Sequence, residues 1–204
     1  LQGRSEEEEL TLEQALARET EMASADPQAV AQPDLATVSV DRGIFRAYDI
    51  RGVVGQSLSP EVAHAIGQSI GSLMHEKGLQ RIVVGRDGRL SGPALSGALI
   101  EGLRSTGRDV VDIGLAPTPL VYFAAYQTEA GSCVAVTGSH NPPDYNGFKI
   151  VVGGETLSGN AILDLHARIA EDRLLETNSP GGLSERDIGE DYVQRIAGDI
   201  QVGQ

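Results

Sequence analysis

The chain has 204 residues, 40% of them apolar, with 16 basic and 29 acidic side chains and a net charge of −13. That length suits one good-sized core plus tails, and the acidity argues against nucleic acid as a partner. The longest apolar run, Leu115 to Tyr126, is broken by Pro117 and Pro119 and falls short of the roughly 18 uninterrupted residues of a membrane span, so no membrane contact is expected.

Residues 1–41 read as an acidic N-terminal extension. Leu1 to Val40 holds nine acids and two bases, which is −7 of the −13. Glu6 to Glu9 lead into a weak apolar stripe through Leu10, Leu12, Leu16 and Met22, a short helix at most, and Ala23 to Ser39 reads as a linker. A docking arm and a plain solvated acidic tail both fit these residues. The chain opens on Leu rather than Met and shows no signal-peptide pattern, so an excised piece of a longer polypeptide is expected.

The globular part is expected over 42–204. Phe45 to Gly55 predicts an edge strand and a turn; its arginines, with Arg51 beside glycines, also suit an anion. Ser59-Pro60-Glu61 predicts a helix start, followed by Val62, Ile66, Ile70 and Met74 at helical spacing and a stop at Gly78. His64 and His75 on this helix are expected to face solvent. Arg81 to Gly85 predicts a buried strand, Arg86 to Gly92 a charged glycine loop, and Pro93 opens a helix that Gly107 ends. Asp109 to Ile113 is the next strand, and Pro117 starts a helix ending near Gln127. The alternation predicts a layered α/β domain with helices on a largely parallel sheet.

Cys133 to Val136 reads as a buried strand that stops at Thr137-Gly138, and the next residue is a hydroxyl nucleophile, Ser139. His140 and Asn141 flank it, and Pro142 and Pro143 stiffen the loop. Open α/β sheets bind ligands beyond the carboxyl ends of their strands, so chemistry is plausible here. The same residues are also good turn formers, and on their own they leave a plain loop open. Adjacent side chains on an extended segment point oppositely, which predicts poor pairing of Ser139 with His140. The lone cysteine, Cys133, has no disulfide partner in the chain, which points to the reducing cytoplasm. Gly147 to Val152 returns after a connection too short for a parallel crossover, so it should run antiparallel to the strand before Ser139. Gly153-Gly154 turns the chain, Ser158 is expected to cap a helix with Ile162, Leu165 and Ile169 inward, Thr177 to Ser184 reads as a loop, and Asp187 to Ile200 as a last helix. No nucleophile elbow, phosphate loop, dinucleotide fingerprint or zinc spacing is present.

Taken together, Phe45-Arg46-Ala47-Tyr48-Asp49-Ile50-Arg51-Gly52, Val84-Gly85-Arg86-Asp87-Gly88-Arg89, Ala116-Pro117-Thr118-Pro119 and Thr137-Gly138-Ser139-His140-Asn141-Pro142 with Asn146-Gly147-Phe148-Lys149 resemble the α-D-phosphohexomutases, in particular the bacterial phosphomannomutase/phosphoglucomutases. The likeness runs from about Ile44 to about Ile200 and keeps the family's order of motifs. It implies a three-layer αβα domain with a mixed, mostly parallel sheet, the first of four domains, ending in a linking helix. It implies that Ser139 carries a phosphoryl group, gives it to a hexose 1- or 6-phosphate, and regains one from the bisphosphate intermediate after that intermediate turns over. By the same resemblance the phosphate on Ser139 ligates Mg²⁺, glucose 1,6-bisphosphate is the activator and intermediate, Lys149 is a general acid/base, His140 sits beside the phosphoserine, and Tyr48 and Arg51 hold substrate or phosphate. The residue chemistry agrees: phosphoryl transfer needs positioning and charge stabilisation, Arg51 offers a fork for phosphate oxygens, and a lysine can exchange a proton where an arginine cannot.

The family's Asp-Gly-Asp-Gly-Asp metal loop and Gly-Glu-x-Ser-Gly sugar loop are absent; Gly154 to Gly159 mimics the latter with the wrong spacing. The chain by itself is therefore expected to be inactive and to act with the missing domains of the same enzyme. A phosphoglucosamine mutase specificity and a non-catalytic phosphosugar-binding or scaffold module remain as rivals.

Overall fold

The computed structural model describes residues 38–200, and the expected N-terminal helix and most of the expected linker lie outside them. Val38 and Val40 pack against the core ahead of the first regular element. A short 3-10 turn at Arg42–Ile44 follows, capped by Asp41, whose carboxylate accepts from the Gly43 N–H at 2.7 Å.

The strands are β1 (Ile50–Val53), β2 (Arg81–Arg86), β3 (Asp109–Leu115), β4 (Cys133–Val136), β5 (Tyr145–Val152), β6 (Glu155–Thr156) and β7 (Leu183–Glu185). The helices are α1 (Pro60–Glu76), α2 (Gly92–Ser105), α3 (Thr118–Gln127), α4 (Asn160–Ala170) and α5 (Gly189–Asp199). The sheet order is β1-β5-β4-β2-β3-β7, with β6 paired to β5. β4, β2, β3 and β7 are mutually parallel, while β5 runs antiparallel to both β4 and β1. The mixed, mostly parallel sheet and the antiparallel return after the serine loop are thus both present.

Local chemistry explains most boundaries. At α1 the Ser59 hydroxyl accepts from the Val62 N–H at 3.3 Å and Pro60 occupies the first turn, where its missing N–H costs nothing. Gly78, at φ 68°, follows the last turn in the left-handed region that favours glycine. Two boundaries differ from expectation. Ser158 makes no side-chain cap; Gly159, at φ 50°, takes the cap position and α4 begins at Asn160. The stretch read as a loop over Thr177 to Ser184 runs into β7, which adds a parallel edge strand beside β3. Its three residues are all exposed, so no apolar alternation marks it in the sequence.

Two cores sandwich the sheet. On one face Ile50, Ile82, Val84, Val134, Val136, Phe148 and Ile150 meet α1, α2 and α4 through Ile66, Ile70, Leu99, Leu103, Ile162 and Leu165. α1 and α2 approach at glycines: a Cβ on Gly102 would lie 2.1 Å from the carbonyl oxygen of His64. That crossing leaves His64 half-buried rather than facing solvent, and burial lowers its imidazole pKa. On the other face α3 covers Val83, Cys133 and Ala135 with Leu120, Val121 and Ala124. β1 contributes nothing to this second core, and of β5 only Val151 packs against it. Side chains on that face at the β1/β5 end of the sheet are therefore free for other work.

Candidate active site

Strand alternation decides which residues share the uncovered face. Ile50 and Phe148 are register partners in the first core, so Arg51 and Lys149 point to the opposite side. Arg51 stands across from Gly147, which has no side chain to separate it from Lys149 two residues on. Asp49, two residues before Arg51, completes the group. Its Oδ2 accepts from Arg51 Nη2 at 2.5 Å and lies 3.4 Å from Lys149 Nζ. Asp49 is 8% exposed, a buried carboxylate matched by two cations. Arg51 keeps Nη1 and Nε without a hydrogen-bond partner among the described residues.

The serine loop begins where β4 ends. The parallel neighbours β4 and β2 bring their carboxyl ends side by side, so the segment after β2 meets the segment after β4. Asp87 Oδ2 accepts from Thr137 Oγ1 at 2.8 Å and from the Gly138 N–H at 3.2 Å. Thr137 Oγ1 in turn accepts from the Ser139 N–H at 2.9 Å. Ser139 has φ 54°, an uncommon conformation for a residue with a side chain, and is exposed. The turn brings Ser139 Oγ and His140 Nδ1 to 3.2 Å. The expected poor pairing is corrected here: it assumed an extended backbone, and the left-handed residue at 139 removes that premise. Arg89 reaches across to the far side of this loop and donates from both guanidinium termini to four of its carbonyl oxygens, between residues 139 and 145.

Ser139 with His140, and Arg51 with Lys149, thus form two pairs on adjacent strands and their loops, linked through the Thr137 N–H, which donates to the Gly147 carbonyl at 2.9 Å. No hydrogen bond joins the two pairs directly. Tyr48 is 76% exposed and its hydroxyl has no partner among the described residues, so it stands at the surface beside Asp49 rather than in either pair. Beside Ser139 lies an open hollow of about 700 Å³, lined by Val54, Asp87, Arg89, Ser91, Asn141 and Asp144 among others. A second hollow, of about 610 Å³, lies between β7 and the end of α3 and contains none of these residues.

Sequence reasoning passed over Asp49, Asp87 and Arg89 as individual residues. Asp87 and Arg89 flank Gly88 after a strand and Asp49 stands just before one, but each holds a partner about 50 to 100 residues away along the chain, as their hydrogen bonds record.

The model of the phosphoglucomutase/phosphomannomutase α/β/α domain I matches residues 42–175. A phosphoglucomutase of Neisseria meningitidis serogroup B is 47% identical over 164 residues, 80% of this chain and 36% of the relative. A phosphomannomutase/phosphoglucomutase of Pseudomonas aeruginosa is 50% identical over 161 residues, 79% of this chain and 34% of the relative. The chain thus spans little more than a third of the length of these curated relatives. The crystal structure of a phosphoglucomutase/phosphomannomutase family protein from Burkholderia thailandensis superposes with a TM-score of 0.77 at 46% identity, over 81% of this chain and 38% of that one. With the family model matched over residues 42–175, this extent of identity and this superposition, the chain belongs to the phosphoglucomutase/phosphomannomutase family, as its α/β/α domain I.

Proposed function

We propose that this domain carries the phosphoserine of a mutase that interconverts hexose 1-phosphate and hexose 6-phosphate. One observation supports the reading most: an exposed serine on a left-handed turn at the carboxyl end of β4, with a lysine on the neighbouring β5 and an arginine on β1 beyond it. In this reading the phosphate on Ser139 is the donor. A hydroxyl of the sugar phosphate attacks phosphorus, the P–Oγ bond breaks, a new P–O bond forms to the sugar, and the hydroxyl proton passes to Lys149 once its ammonium has released a proton to solvent. The resulting hexose 1,6-bisphosphate turns over and returns its other phosphoryl group to Ser139 Oγ, with the proton going back to the oxygen that is left. Arg51 meets phosphate oxygens with its unpartnered Nη1, and His140 steadies Ser139 Oγ through the 3.2 Å contact. Tyr48, exposed beside Asp49, would help hold the substrate or its phosphate.

Magnesium belongs to the same reading. It takes about six oxygen ligands, and the phosphate of Ser139 would supply oxygens of the right kind. Among the described residues no group of three or more His, Cys, Asp or Glu side chains converges to complete a site, and the Asp87 carboxylate is engaged by Thr137 and Gly138. The ion would neutralise charge on the transferring group. The single buried thiol suits the reducing cytoplasm.

The test uses the complete polypeptide that carries this chain, in a coupled assay of glucose 1-phosphate conversion with Mg²⁺ and glucose 1,6-bisphosphate. Ser139→Ala should abolish turnover. Lys149→Ala should lower it by about 10²–10⁴-fold, without restoration by Lys149→Arg. Full turnover in the Ser139 variant would refute the reading. The isolated chain should show no turnover in the same assay.

A further inference from the structure

We propose that Arg89 is the positioning residue of the Ser139 loop: it sets the backbone that presents the nucleophile and does not touch substrate. The inference rests on the reading of Ser139 as phosphoryl acceptor. An arginine beside a candidate phosphate site invites the opposite assignment, as a phosphate ligand, and its donor count argues against that.

A guanidinium has five N–H donors. Arg89 Nη1 donates to the carbonyls of Pro142 at 2.6 Å and Tyr145 at 2.9 Å, and Nη2 to those of Ser139 at 3.1 Å and Asn141 at 2.7 Å. The fifth, on Nε, faces Asp87 Oδ2 at 3.4 Å. Four of the five donors are hydrogen-bonded within the protein, and the fifth lies at ion-pair distance from Asp87. Asp87 also holds the Arg89 backbone N–H at 3.1 Å and the Gly138 N–H at 3.2 Å, so one carboxylate orients the arginine and the start of the serine loop together. Arg51, by contrast, leaves Nη1 without a hydrogen-bond partner among the described residues, which is the pattern of a ligand.

The clamp has two consequences for the nucleophile. The carbonyl of Ser139 itself is one of the four held, which fixes the plane of the peptide that follows the serine, and with it the serine's ψ, at a residue whose φ is left-handed. The clamp also turns four carbonyl dipoles onto a cation. A phosphoserine brings about −1.5 to −2 charges, and carbonyl oxygens left free beside it would repel it. Gly138 is explained by the same contact: a Cβ there would lie 2.3 Å from Arg89 Nε and Cζ, so the guanidinium occupies the space that any side chain at 138 would need.

Lysine keeps the charge of Arg89 but presents its donors from a single nitrogen and cannot span four carbonyls. In the complete mutase polypeptide, Arg89→Lys should lower kcat by about 10²-fold while KM for glucose 1-phosphate changes less than about threefold, because misplacing a reacting group by about 1 Å costs that much without loss of substrate contacts. Arg89→Ala should recover at least about tenfold in kcat when millimolar guanidinium is added, whereas Lys149→Ala should not. Hydrogen exchange of residues 138–145 should accelerate in Arg89→Lys while exchange in β2 and β4 stays unchanged. Unaltered kcat in Arg89→Lys, a rise in KM with kcat preserved, or failure of guanidinium to rescue a folded Arg89→Ala would each overturn the proposal. The exchange measurement separates the two readings: if Ser139→Ala were active, the phosphoserine assignment would fall, and loop protection lost on Arg89→Lys would still establish the clamp.

Discussion

Replacing Asp49 by Asn keeps the side chain's shape and removes its charge, which leaves Arg51 and Lys149 facing each other without their shared counter-ion. At the 3.4 Å separation of Lys149 from Asp49, and an effective dielectric of about 20, the lost attraction is about 5 kcal/mol before desolvation is considered. Most of that is offset in the wild type, because burying a carboxylate is itself costly, and removing one partner of a buried pair typically costs about 3–5 kcal/mol. The Arg51 and Lys149 side chains are 18% and 28% exposed, so water screens the orphaned cations in part and the net cost falls to about 2 kcal/mol. For a domain of this size that corresponds to a fall in Tm of about 4–8 °C. Circular dichroism melts of the chain give the shift, and a double-mutant cycle with Lys149→Met isolates the coupling, which should be at least about 0.5 kcal/mol. A melt within about 1 °C of wild type, or strict additivity in the cycle, would show that Asp49 does not hold the two cations, and the electrostatic account of this face would fail.

Gly102→Ala should lower Tm by about 4–8 °C in the same melts, because its Cβ meets backbone of the facing helix and the overpacking, about 2 kcal/mol net of helix propensity, cannot relax through a side chain. Burial lowers the pKa of His64, partly opposed by Glu101 and Glu176; the unfolded chain then binds the proton first, so stability should fall as pH drops below about 6.5, and His64→Gln should flatten that slope in melts taken across the range. Hydrogen bonding from Arg168 holds the Glu76 carboxyl below its ordinary value, so Glu76→Gln should destabilise the protein at neutral pH and progressively less as pH falls through the folded Glu76 pKa. Cys133 is buried and its thiol is pushed up to about 12, so it should resist alkylation in the native state and react at once in denaturant, as followed by mass spectrometry.

The elements that the sequence made legible are those in which apolar spacing and end signals agree. α1 has Ser59, Pro60, a periodic stripe and Gly78, and β4 is an unbroken apolar run ending at Thr137-Gly138. β7 was lost because an exposed three-residue edge strand pairs through its backbone and needs no apolar side chain. The position of Ser139 at a strand end was readable; its φ of 54° was not, since that depends on Asp87 and Arg89 from a separate loop. Asp49 stood two residues from Arg51 in plain view, but its pairing with Lys149 required knowing that β1 and β5 are neighbours. Local patterns thus located the strand ends, and the sheet order determined which of them meet.

The central claim is that Ser139 accepts a phosphoryl group. The most direct measurement incubates the complete polypeptide with glucose 1,6-bisphosphate and Mg²⁺, digests it, and maps the phosphate by tandem mass spectrometry. The account predicts a single phosphate on the peptide containing Thr137-Gly138-Ser139-His140, with fragment ions placing it on Ser139 and no incorporation in Ser139→Ala. Phosphate on Thr137 or any other residue, or an unmodified Ser139 in a protein that turns over substrate, would contradict it.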